Sequence, residues 1–264
     1  MKIFKLLLSL FLILGIVGTA VVIFNRNSGD DSLVPGTSDN NETEVPEETI
    51  EPNTSLKYLA FGDSITEGGN LDDRTQAYPN VAGRILDYDV TNRAVGGSTF
   101  VRDPDKAIRH CIAEDVISFC KTDGEYDIIS VAGGVNDQSL AFPLGDINDS
   151  TTETIYGSLN IIVQTLKERF PDAFIFLVTP IKYPQSEIPN RAGYDLSDVA
   201  EAIQMIGAKY NLPVLDLYTT SGFETAPNGM NHPDCDGWHP LKEFVAEYLA
   251  PQVAEFIRQN YRGK

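Results

Sequence analysis

The chain has little of several things, and each shortage excludes a class. It has 3 cysteines in 264 residues, too few for disulfides to carry the fold. Lysine and arginine number 20 against 38 aspartates and glutamates, a formal charge of −18. A surface this acidic is repelled by phosphate backbones, which argues against nucleic acid as a partner. Histidines number 3, so any imidazole chemistry falls on His110, His232 or His239. Hydrophobic residues make up 42% and charged residues 22%, a globular balance that excludes wholesale disorder and a polytopic membrane protein. No internal repeat is present.

There is one long apolar run. Residues 6–24 are 19 uncharged, mostly apolar positions, preceded by Lys2 and Lys5 and followed by Arg26. A bilayer core needs about 20 such residues as a helix, and a signal-peptide core usually about 7–15. Residues 1–27 are therefore expected to be either a long signal peptide, with Gly18 to Ala20 offering small residues for cleavage, or a single membrane anchor. Lysines before the run and acids after it orient its N-terminus inside, so the rest faces outward, secreted or held at the cell surface. Residues 28–54 carry 8 acids, 3 prolines and no basic residue. Like charge with little apolar surface cannot offset chain entropy, and this stretch reads as a disordered linker. The only membrane association expected is through the N-terminal segment.

Residues 55–264 change character. Short apolar runs at 56–62, 88–94, 126–132, 173–179 and 212–217 read as strands. They alternate with helical spacing over 74–87, 107–120, 152–170, 196–210 and 241–261. Alternation of this kind predicts an α/β fold, a parallel five-stranded sheet with helices on both faces, in a three-layer sandwich. Ligands then sit beyond the carboxyl ends of the strands.

Those ends carry residues of catalytic type. After the first strand comes Gly62-Asp63-Ser64-Ile65-Thr66, and after the second comes Asn92 to Thr99 with the pair Gly96-Gly97. Gly133-Gly134-Val135-Asn136-Asp137 follows the third. Asp236-Gly237-Trp238-His239-Pro240 precedes the last helix. Ser64 alone reads as well as a helix cap, and Asn136 alone as a turn residue. His239 is more telling. Asp236 lies three residues before it, within reach of one imidazole nitrogen, and leaves the other to take a hydroxyl proton. Pro240 suits a first helical position. A capping histidine is the plain alternative. A metal reading, from His232, Asp234, Cys235, Asp236 and His239, lacks the second cluster that a zinc site needs. Cys111 and Cys120, nine apart on one helix, are too far apart to pair.

Together the four blocks resemble the SGNH (GDSL-type) hydrolases, over about residues 56–262. The resemblance implies a flavodoxin-like sheet and a Ser-Asp-His triad of Ser64, Asp236 and His239. It implies an oxyanion hole from the Ser64 N–H, the Gly97 N–H and the Asn136 amide. Ile65 stands where the family's name-giving leucine would be. The activity implied is ester hydrolysis without metal or organic cofactor, on a small-molecule or glycan ester. Polar residues across 137–150 and 181–195, such as Asp137, Gln138, Tyr183, Asn190 and Tyr194, suggest a shallow site suited to short acyl groups on carbohydrate. Trp238 is the candidate sugar-stacking residue, with core packing its alternative. A lipase or lysophospholipase on longer acyl esters, transfer of the acyl group to a sugar, and a non-catalytic glycan-binding module on the same fold are the competing readings.

Overall fold

The structure is a computed structural model, and it describes residues 55–103 and 110–263. The expected leader, the acidic linker and the start of the expected 107–120 helix lie outside the described residues. Among the described residues no helix is long and apolar enough to cross a membrane.

Five strands form one sheet: β1 (Lys57–Phe61), β2 (Asp89–Asn92), β3 (Ile128–Ala132), β4 (Phe174–Val178) and β5 (Val214–Leu215). Their order is β2-β1-β3-β4-β5 and every pairing is parallel. Parallel strands are covered on both faces, which is why β3 is buried at every position and reads as a continuous apolar run. Side chains alternate between two cores. Leu59, Phe61, Ile129, Val131, Ile175 and Leu177 face one side, where α3 (Ile112–Phe119), α5 (Ile155–Arg169) and α6 (Leu196–Tyr210) pack. Tyr58, Ala60, Ile128, Ala132, Phe176 and Val178 face the other, against α2 (Tyr78–Leu86) and α9 (Ala250–Asn260). Each fully buried apolar side chain is worth roughly 1.5–3 kcal/mol.

The five expected strands and the sheet they form are present, with shorter bounds at the edges. β2 is half exposed and β5 has two residues, as edge strands with one neighbour. The expected 74–87 helix starts as a 3₁₀ turn, Arg74–Gln76, and becomes α2 only at Tyr78, because Pro79 has no N–H to donate and fits only a first turn. The expected 241–261 helix is broken by a wide turn at Val245–Leu249, where the Ala250 N–H reaches back five residues to the Val245 carbonyl. Pro251 follows directly. Its ring would clash with the carbonyl four residues back in a regular helix, and the widened turn relieves that clash. Cys111 and Cys120 cap the two ends of α3, and both are free thiols, as is Cys235.

Three short helices escape a periodicity reading: α1 (Ser64–Glu67), α4 (Val135–Leu140) and α7 (Leu217–Thr220). Two of them begin at strand ends that flank the point where the chain, having gone from β1 outward to β2, returns to β3 on the other side. A crevice opens there at the carboxyl ends of β1 and β3.

Candidate active site

Ser64 is the first residue of α1. Asp63 caps that helix, its carboxylate accepting the Ile65 N–H at 3.0 Å. The cap fixes the turn that lifts Ser64 off the sheet edge. Asp63 is buried. Burial pushes its carboxyl above the ordinary range, partly offset by the Ile65 N–H and by the nearby His239 ring.

His239 arrives from the other end of the chain, on the loop before α8 (Lys242–Phe244). Its Nε2 lies 2.9 Å from Ser64 Oγ. Its Nδ1 lies 2.7 Å from Asp236 Oδ2. The other oxygen of Asp236 accepts the backbone N–H groups of Trp238 at 2.8 Å and His239 at 2.7 Å, so the turn 236–239 is wound around its own carboxylate. Burial alone would raise the Asp236 carboxyl, but the bonds from the His239 ring and from the two N–H groups outweigh it and hold it at about 2. Asp236 is thus an anion at any working pH. An anion on Nδ1 fixes the proton there and leaves Nε2 as the acceptor facing Ser64.

The loop after β2 brings Gly96 beside Ser64, where an added Cβ would lie 3.8 Å from the Ser64 Cβ, and Gly97 follows it. The two glycines are needed for different reasons. A Cβ on Gly96 would sit 2.6 Å from Glu67 Oε2, where the Glu67 carboxylate pairs with Arg74. Gly97 has open space around it but a left-handed backbone, φ 76°, which favours glycine. Among the described residues neither Ser64 nor Gly97 gives its N–H to an acceptor. Asn136, on α4, donates one amide hydrogen to the Ser98 carbonyl at 2.8 Å and keeps the second. Ser64, His239 and Asp236 are thus joined in one hydrogen-bonded row beyond the end of β1, while Asn136 is tied through Ser98 to the loop that carries Gly96 and Gly97.

Trp238 is half-buried, packs against the α5–α6 core and stacks on Tyr183, with ring centroids 3.9 Å apart and planes 18° from parallel. The polar loops behave differently from the sequence expectation. Asp137 is buried and accepts the Phe100 and Val101 N–H groups, both at 2.9 Å. Burial drives its carboxyl up to about 7, against the pull of those two N–H groups. The Gln138 side chain accepts from the Tyr183 hydroxyl, and its carbonyl accepts from Asn190 at 2.8 Å. The Tyr194 hydroxyl reaches the carbonyls of Asp137 and Phe142. These residues tie loops to one another rather than presenting polar groups to a ligand, because a loop over a sheet end must first satisfy its own backbone.

Sequence reasoning missed Asn70, whose Nδ2 donates to Asp236 Oδ2 at 2.6 Å. It also missed Gly69, where a Cβ would sit 2.8 Å from His239 Cδ2. Gly-Gly-Asn after a helix reads as a turn, and nothing local says what the turn touches.

The sequence profile of the GDSL-like lipase/acylhydrolase family matches residues 60–243. None of the curated proteins matches the chain in sequence. Solved structures share the fold. A possible lipase from Chitinophaga pinensis DSM 2588 is 22% identical with a TM-score of 0.59, covering 78% of this chain and 98% of its own. The native aryl esterase of M. smegmatis is 18% identical with a TM-score of 0.58, covering 78% and 99%. A carbohydrate acetylesterase family member from Sinorhizobium meliloti is 18% identical with a TM-score of 0.55, covering 77% and 98%. With the family profile spanning most of the folded region and the α/β sheet shared with esterases, the chain belongs to the GDSL-like lipase/acylhydrolase family and is an ester hydrolase.

Proposed function

We propose that Ser64, His239 and Asp236 form the catalytic triad of an esterase that removes short acyl groups, acetyl above all, from carbohydrate. The observation that carries the triad is the unbroken chain Ser64 Oγ, His239 Nε2, His239 Nδ1, Asp236 Oδ2, with steps of 2.9 and 2.7 Å. His239 takes the Ser64 proton as Oγ attacks the acyl carbon, and the carbonyl oxygen becomes an anion. The N–H groups of Ser64 and Gly97 and the second amide hydrogen of Asn136 meet it, each such donor lowering the barrier by about 2.7–4 kcal/mol. The imidazolium, steadied by Asp236, returns the proton to the leaving alcohol. Water, activated by the same ring, then releases the acid. A non-catalytic glycan-binding module would have no use for this arrangement.

The preference for short acyl groups is our reading of how little enclosed space lies near the strand ends: a cavity of about 20 Å³, lined by Asp63, Ile65, Thr66, Tyr78 and Gly133 among others but by no triad residue, has room for a water or a methyl group. Trp238, backed by Tyr183, is the proposed wall for a sugar ring. The uncharged run at residues 6–24 supports an outward-facing, tethered or secreted enzyme. One observation favours longer acyl esters, the 61% exposure of Ile188 on the neighbouring loop, and chain length decides between the two. We expect kcat/KM for p-nitrophenyl acetate to exceed that for p-nitrophenyl palmitate, and Ser64→Ala to abolish both activities. A specificity constant that climbs with chain length would make the enzyme a lipase. Acetate released from acetylated xylose in water, with no acylated second sugar, separates hydrolysis from transfer.

A further inference from the structure

Four donors converge on the Asp236 carboxylate. Three come from its own turn: the His239 ring and the N–H groups of Trp238 and His239. The fourth, from Asn70, crosses 166 residues of sequence. It lands on Oδ2, the same oxygen that holds the imidazole.

The backbone that delivers it is unusual. Asn70 has φ 65°, left-handed, a conformation that is strained for most L-residues and that asparagine tolerates best after glycine. Gly68 before it also has a positive φ, 95°, and the N–H groups of Gly68 and Gly69 both close on the Ser64 carbonyl, at 3.0 and 2.7 Å. The segment 68–70 is thus anchored to the nucleophile's own carbonyl. It lies against the His239 ring at Gly69 and ends on the Asp236 carboxylate at Asn70. A surface turn with no role would leave Asn70 in water, where glycine would serve the backbone better.

We propose that Asn70 is a positioning residue that locks the Asp236 carboxylate in the rotamer that orients His239, so that the turn 68–70 clamps both halves of the triad to Ser64. Asp236 is exposed over 41% of its side chain, so a carboxylate held only by its own turn shares its outer lone pairs with water and rotates. The Asn70 amide fills that outer site with a fixed neutral donor. It touches neither substrate nor the reacting atoms. It acts through Asp236 on His239. The inference rests on the triad reading above.

The test compares Asn70→Gly and Asn70→Ala with the wild type and Ser64→Ala. Turnover of p-nitrophenyl acetate, the rate of Ser64 labelling by a fluorophosphonate, and Tm are measured for each. Both Asn70 variants lose the amide, but glycine relieves the left-handed backbone and alanine strains it. Expected are a kcat lowered at least fivefold in both with KM within twofold, a parallel fall in labelling rate, and a lower Tm for alanine alone. In wild-type protein the His239 Nδ1 proton should give a downfield NMR resonance that moves in Asn70→Gly. Asn70→Gly with kcat and labelling rate within twofold of wild type overturns the inference while an inactive Ser64→Ala leaves the triad standing. Fully active Ser64→Ala overturns both. A kcat that falls only in the variant whose Tm falls would make Asn70 a structural residue and refute the positioning role.

Discussion

Replacing Gly69 by alanine adds one methyl group to a residue that has no part in the chemistry. Built on the existing backbone, the new Cβ stands 2.8 Å from His239 Cδ2, 3.3 Å from Nε2 and 3.1 Å from the Ser64 carbonyl oxygen. Ordinary contact begins near 3.4 Å. The turn cannot retreat freely, because the Gly69 N–H is bonded to that same carbonyl at 2.7 Å. The ring has to yield by roughly half an ångström, since repulsion rises steeply inside contact distance. Any tilt that clears the methyl lengthens either the 2.9 Å approach to Ser64 Oγ or the 2.7 Å bond to Asp236. Misplacement by about 1 Å costs on the order of 10²-fold in rate, so about half of that displacement should lower kcat by roughly 10-fold. The lost turnover should appear in kcat more than in KM, because the substrate's binding groups are untouched. Tm should stay within a few degrees, as residue 69 lies at the rim of the site and not in either core. The assay is steady-state hydrolysis of p-nitrophenyl acetate with a thermal melt on the same preparations. A Gly69→Ala enzyme with wild-type kcat would show that the ring has slack to spare, and that the tight packing of the turn against the imidazole does not set the catalytic geometry.

Asp236→Asn should keep the fold but lose about three to four orders of magnitude in kcat, because an amide can present its N–H to Nδ1 and fix the wrong tautomer; retention of most turnover at pH 8 would remove Asp236 from the triad. Stability should fall as pH rises from about 4 to about 7. Asp137 titrates up to about 7 in the fold against an ordinary value of 3.8, so the folded state holds the proton more tightly and loses at most about 4 kcal/mol as it is stripped. Asp63 shifts the same way. Asp236, held at about 2, works oppositely, so that its contribution is lost below pH 4. Melting temperatures that rise steadily from pH 5 to pH 7.5 would contradict this, and Asp137→Asn should flatten the slope while lowering Tm, since its NH₂ cannot accept a backbone N–H. Trp238→Ala should raise KM for an acetylated sugar several-fold more than for p-nitrophenyl acetate, and equal effects on both would make the tryptophan a packing residue.

Much of this molecule can be read from its sequence because the signals are local. Each buried strand is an apolar run with a polar or glycine stop, and Gly62-Asp63-Ser64 and Asp236 to His239 each hold their chemistry within four residues. What could not be read depends on distant partners. Asn70 is one exposed asparagine after two glycines until the 166-residue loop closes and Asp236 arrives. Asp137, Gln138, Asn190 and Tyr194 look like a polar rim in the sequence, yet they are spent on holding loops, because composition does not say which way a side chain points. The break at Val245–Leu249 had a visible cause in Pro251, but periodicity alone runs through it.

Ser64 and His239, the proposed nucleophile and base, lie 175 residues apart, and this separation has a consequence for how the enzyme comes into being. On a ribosome adding roughly 5–20 residues per second, about 10–35 s pass between the emergence of Ser64 and that of His239. In that interval β1, β3 and β4 can assemble, and the serine can reach its final position just beyond the end of β1, without an imidazole to activate it. On the proposed triad, a nascent or truncated chain that lacks His239 is expected to be silent toward esters. On that reading the Ser64 hydroxyl gains its base only when the loop carrying His239 docks against residues 64–70, so the first turnover would also report that the chain has finished folding.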